Sequence, residues 1–152
     1  MSRAFSFRLA RVLDVRESAE ARAQEQLAAA LAARRTGWER MDGAERTLVA
    51  ARDAARTAAG DPTVGGTDLI AHQAFLERAT LALRAAQLEL DRLDAEADGR
   101  RAALAAAVRE RQVLERLKDR QHAEWRLARG RVEAAALDEM ALAVHRRRET
   151  AL

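Results

Sequence analysis

Three histidines, His72, His122 and His145, and a scatter of carboxylates are the side chains that could hold a metal or move a proton. The histidines lie far apart, and no two of them share the four-residue spacing that a helical zinc site uses. Acidic pairs such as Glu17/Glu20 and Asp138/Glu139 read as ordinary solvated helix positions. The chain has no cysteine, so it has no thiolate nucleophile, disulfide framework or Cys-based metal site. Its glycine-rich stretch, Gly60-Asp61-Pro62-Thr63-Val64-Gly65-Gly66-Thr67, resembles a phosphate loop superficially. No Gly-Lys-Ser/Thr follows it and no strand precedes it. The expectation is a protein with no catalytic, cofactor-binding or metal-binding residues, and not an enzyme.

The elements that hold these residues are long helices. Aromatic residues make up 3% of the chain, tyrosine is absent and roughly a quarter of the residues are alanine, so little volume is available for a globular core. With 34% charged and 49% hydrophobic residues, the composition falls in the long-helix or coiled-coil class. The stretch from Gly60 to Thr67 holds the single proline and three of the seven glycines, and is the one place where a helix cannot plausibly continue. Gly60 is expected to take the left-handed conformation that closes a helix, with Pro62 as a stop beyond it. Thr67 and Asp68 are placed to cap the next helix. The fold class is therefore all-α: a long antiparallel two-helix coiled-coil hairpin forming a single domain over residues 1–152. Helix 1 should cover about residues 3–59, the turn 60–67 and helix 2 about 68–148.

Helix 1 carries a weak, alanine-rich seam. Phe5, Leu9, Val12, Ala19, Ala23 and Ala30 step by fours and threes, with Arg16 and Gln26 as polar interruptions. A second stripe of Leu27, Leu31, Trp38, Met41 and Leu48 drifts round the helix. Gly37 and Gly43 mark either soft spots or close backbone approaches. Helix 2 has the clearest periodicity: Leu69, Leu76, Leu83, Leu90, Ala97 and Leu104 recur every seven residues. Ala79, Ala86, Leu93, Ala107 and Leu114 complete the heptad, with His72 and Arg100 as polar members.

Folding the chain at residue 63 makes facing numbers sum to about 126, in a paired rod roughly 85 Å long. Leu48 then falls near Arg78, Trp38 near Leu88 and Val12 near Leu114. Helix 1 ends opposite Gln121, so residues after about 125 form an overhang that contains Trp125, Leu127, Val132, Leu137, Met140 and Leu142. The formal net charge of +3 understates a basic open end, with Arg3, Arg8, Arg11 and Arg16 at the base of the overhang and His145-Arg146-Arg147-Arg148 at its far end. Those last residues also suit the negative end of a helix dipole.

Over most of the chain Arg alternates with Asp and Glu, and no aromatic platform interleaves with the Arg residues. That argues against a nucleic-acid partner despite the high isoelectric point. No uncharged run reaches the roughly 20 residues of a membrane helix, and no signal-peptide core is present, so a cytoplasmic location is expected. Phe5 and Phe7 beside Arg keep a membrane-surface role for the first residues open.

Two end motifs carry a resemblance to a known family. Phe5-Ser6-Phe7-Arg8-Leu9-Ala10-Arg11-Val12-Leu13-Asp14-Val15-Arg16-Glu17 resembles the opening of the bacterial flagellar export protein FliJ family. Leu114-Glu115-Arg116-Leu117-Lys118-Asp119-Arg120, Glu124-Trp125 and Leu137-Asp138-Glu139-Met140-Ala141 are similar to its ending. The resemblance implies a soluble component of the flagellar type III export apparatus, with a fold similar to the central stalk of rotary ATPases and no catalytic residues. It also implies three partners: the hexameric export ATPase, the cytoplasmic domain of the export gate and export chaperones. Location would be cytoplasmic and peripheral on the membrane at the flagellar base.

By the same resemblance, Phe5, Phe7, Arg8, Leu9, Arg11, Leu117 and Trp125 would meet the ATPase ring. Trp38, Met41, His72, Phe75, Leu76 and Ala79 would meet the gate. The corresponding stalk of a virulence type III secretion ATPase is the nearest alternative. A general scaffold coiled coil is the alternative from another class.

Overall fold

The computed structural model describes residues 4–149. Two helices account for almost all of them, α1 (Ala10–Gly60) and α2 (Gly66–Glu149), and they pair antiparallel as an all-α helical hairpin. Packing divides the chain into two compact units, one of Met1–Ala19 with Ala107–Leu152 and the other Glu20–Ala106.

In the Glu20–Ala106 unit the heptad of α2 forms one wall of the seam. Ala79, Leu90, Leu93 and Ala97 are buried, Ala97 completely, while Leu76, Leu83 and Ala86 are half-buried. Both polar members, His72 and Arg100, are half-buried as well, and Arg100 donates to Gln26 across the seam at 3.0 Å. On the opposite wall the expected α1 positions Ala23, Leu27, Ala30, Met41 and Leu48 do face inward, joined by residues outside the expected stripes. Ala23, Ala30, Gly37, Ala44, Ala51 and Ala58 recur every seven residues and face inward, with Leu27, Arg34, Met41 and Leu48 beside them. Trp38, expected in the stripe, is 51% exposed. Trp38 and Leu88, which the numbering sets opposite each other, both face outward. Leu48 and Ala51 pack on Ala79, with Leu76 and Leu83 against them.

Small residues facing leucines bring the helices close. A methyl group built on Gly37 would lie 2.7 Å from Leu93 Cδ1 and 3.5 Å from Leu90 Cδ1, whereas one built on Gly43 meets nothing within 4 Å. Of the two glycines, Gly37 is therefore the close approach. Gly43→Ala should stabilise the protein by about 1 kcal/mol through helix propensity alone. Gly37→Ala should lose most or all of that gain to displacement of Leu93, so urea midpoints should rise for the first variant and not for the second.

The unit of Met1–Ala19 with Ala107–Leu152 begins differently from the expected helix at about residue 3. Residues 4–7 have no regular structure, Arg8 and Leu9 form a turn, and α1 starts at Ala10. Packing explains the difference: Phe7 is buried at 7% exposure and Leu13 at 6%, so apolar burial overrides local helix propensity. The Ala10 N–H donates to the Phe7 carbonyl at 3.1 Å, which closes the entry to α1. Arg16 pairs with Glu110 at 2.5 Å, and Val12 shares a groove with Val113 and Leu114. The Arg16–Glu110 and Gln26–Arg100 pairs, one in each unit, both have the register that a fold about residue 63 requires. Being exposed, the ion pair pins register more than it adds stability.

The turn is built by Asp61 instead of by a left-handed Gly60. Among the described residues no glycine has positive φ. The Asp61 N–H donates to the Ala58 carbonyl at 3.3 Å, and Asp61 Oδ1 accepts from the Thr63 N–H at 2.8 Å and from its hydroxyl at 2.7 Å. These Thr63 bonds hold the Asp61 carboxyl below its ordinary range, so the turn is stabilised above the ordinary carboxylate pKa and loses that contribution as pH falls through the lowered value. Thr67 and Asp68 lie inside the first turn of α2, not at its cap. The Gly65 carbonyl accepts from Asp68 at 3.1 Å and Leu69 at 3.2 Å, and the Asp68 charge complements the helix dipole.

Candidate partner-docking site

His122, Trp125 and Arg129 follow helical spacing and share one face of α2. The His122 and Trp125 rings stack with centroids 5.8 Å apart, and the Arg129 guanidinium lies 5.5 Å over the Trp125 ring. Phe5, carried by the non-helical segment before α1, brings its ring to 4.9 Å from His122 and 6.0 Å from Trp125. The result is an aromatic base at which Phe5, Leu117 and Trp125 are half-buried while Arg8, Leu9 and Arg11 are exposed. Phe7 is buried, so it anchors the segment without facing outward. His122 was not among the expected site residues. Its three-residue spacing from Trp125 was the available signal.

Beyond this base, every residue from 126 to 148 is exposed. Val132 at 70% and Met140 at 58% continue the Trp125 face with Ala136 between them, and Leu127, Leu137, Leu142 and Val144 are more than half exposed too. Arg129 is also tied to Glu133 at 2.6 Å, which orders the start of this stretch. An apolar helical face of this length, flanked by Arg126, Arg131 and Arg146 to Arg148, is suited to a docking partner whose surface combines apolar and acidic groups.

The second set of expected site residues lies in the Glu20–Ala106 unit and divides. His72 and Phe75 line one groove with Ala54, Val64, Asp68 and Ala71, about 480 Å³ in volume. The Arg78 guanidinium lies 5.9 Å from the Phe75 ring. Trp38 lines a separate groove of about 390 Å³ with Leu31, Arg34 and Arg35. Met41 and Leu76 are half-buried along the seam, and Ala79 is 5% exposed inside it. Trp38 and Phe75 are thus not brought together, and Ala79 supports the surface from within.

Among the described residues, no group of three or more His, Asp or Glu side chains could hold a metal ion. No helix among them is long and apolar enough to cross a membrane. No match is found among curated proteins or among solved structures. A protein-family model described as flagellar FliJ protein matches residues 5–150, from the aromatic base at Phe5 to the end of α2. By that match over nearly its whole length, the chain belongs to the flagellar FliJ protein family.

Proposed function

We propose that this component of flagellar type III export is a non-enzymatic stalk seated in the ring of the hexameric export ATPase. The observation that carries the reading is the uncovered face of α2 beyond Trp125, rooted in the Phe5–His122–Trp125 base. A helix whose apolar residues stay in water over six turns is stabilised by whatever covers it, and a ring pore supplies an enclosing surface. In this reading Arg8, Leu9, Arg11, Leu117 and Trp125 meet the ring, Phe5 supports Trp125, and Phe7 fixes the segment that presents them.

The gate-facing surface is assigned to His72, Phe75 and Leu76 with Ala79 beneath them, and Trp38 and Met41 form a second patch further along the hairpin. The protein would work in the cytoplasm, held peripherally at the membrane by the export gate, and assist export chaperones there. A scaffold assembling through its seam is disfavoured because α1 and α2 already occupy the seam within one chain.

The test is association with the hexameric ATPase. Leu9→Asp combined with Trp125→Ala should weaken co-sedimentation at least about tenfold, with helicity by circular dichroism unchanged. Phe75→Ala should leave ring binding intact and reduce capture of the gate's cytoplasmic domain. Wild-type ring binding by the first variant would count against the assignment.

A further inference from the structure

Helix α2 carries a second apolar row in the Glu20–Ala106 unit, on the side away from its seam. Ala74, Leu81, Leu88 and Ala95 recur every seven residues, and Leu81 and Leu88 are 62% and 71% exposed. Leu81 also borders a groove of about 380 Å³ lined by Gln73, Leu76, Glu77, Thr80 and Arg84. Glu77 and Arg84 flank this row on the same side. Seven residues separate them, about 10 Å along the helix, too far for them to pair within the chain. Glu77 accepts a hydrogen bond from Gln73 at 2.9 Å, and among the described residues no ion pair of Arg84 is found. Arg92, further along, is already held by Glu89 at 2.7 Å and Glu96 at 3.5 Å, which raises its pKa and leaves it no need of a partner.

We propose that this face pairs with the same face of a second copy, antiparallel, on a two-fold axis at Leu81. That axis sets Leu81 against the partner copy's Leu81 and Ala74 against Leu88. It also places Glu77 beside Arg84 of the other copy at both ends, within about 2 Å of the same height along the helices. Like flanks meet in an antiparallel two-fold pair, so the charge order on one flank decides whether it attracts or repels. Here it attracts twice. Centring the pair between Leu81 and Leu88 would set Glu77 against Asp91 and repel, so the charges select the register as well as the partner. The row is short and its contact area small, so the dimer is weak, with a Kd of about 10–100 μM.

Sedimentation equilibrium of the full chain at graded concentration is the test, together with charge reversal. Glu77→Arg alone and Arg84→Glu alone should each weaken dimerisation about tenfold or more, and the double variant should restore it. Both positions are exposed, so helicity should not change. Because the chain has no cysteine, Leu81→Cys gives a single thiol that should cross-link with itself under mild oxidation, while Leu127→Cys should not. A monomer at every concentration would overturn the proposal. So would a dimer indifferent to the reversals, or equal cross-linking at both positions.

Discussion

Replacing Ala97 with Glu should lower stability by about 3 kcal/mol or more, while Ala95→Glu, two residues away, should change it by no more than about 0.5 kcal/mol. Ala97 is 0% exposed between the helices and Ala95 is exposed, so the two substitutions share chemistry and helix propensity and differ only in burial. A carboxylate at 97 has no room in the closed seam and must be stripped of water there, and in a seam built largely of alanines and leucines few other contacts can absorb the loss. Urea unfolding with unchanged slope would measure the difference. Equal small shifts for both variants would mean that the α2 heptad does not hold the hairpin together.

The second large effect should be on function without stability. Val132→Asp combined with Met140→Asp alters two side chains that are 70% and 58% exposed in a stretch with no buried residue. The melting temperature should stay within a few degrees of wild type, because surface changes of this kind cost little folding free energy. Binding to the ATPase ring should fall about a hundredfold, as expected when two apolar anchors are replaced by charges in a covered interface. A stable variant that binds normally would show that the face beyond Trp125 is not the one the ring covers.

Much of the fold was legible because α2 states it plainly. Of its heptad, Leu90 and Ala97 are buried, Leu76, Leu83 and Leu104 are half-buried and only Leu69, next to the turn, is exposed, while the breaker from Gly60 to Thr67 is where the chain turns. The seam of α1 was harder, since Ala occupies both buried and exposed positions and its row through Gly37 offers no hydrophobic contrast. Trp38 is the largest apolar residue of α1, yet the seam closes on the small residues beside it and that ring faces outward.

The start of α1 at Ala10 has a different cause. Residues 4–9 have helix-compatible neighbours, but Phe5 packs on His122 and Trp125 of α2 and Phe7 is buried, which together outweigh a further turn of helix. Tertiary contact of that kind leaves no local signature. In the turn, the Asp61–Thr63 bonds close the chain without any left-handed glycine. At the site, Phe5 and Trp125 were legible as motif residues. The partition of Trp38 from Phe75, and the burial of Phe7 and Ala79, depend on helix rotation, which spacing alone does not set.

If this chain is a stalk for a ring, the steady-state rate of the matching export ATPase should depend on it, and that rate is measured with and without the chain alongside sedimentation of the mixture. Stimulation accompanied by a complex of one chain per hexamer is expected. An unchanged rate with no such complex would contradict the account.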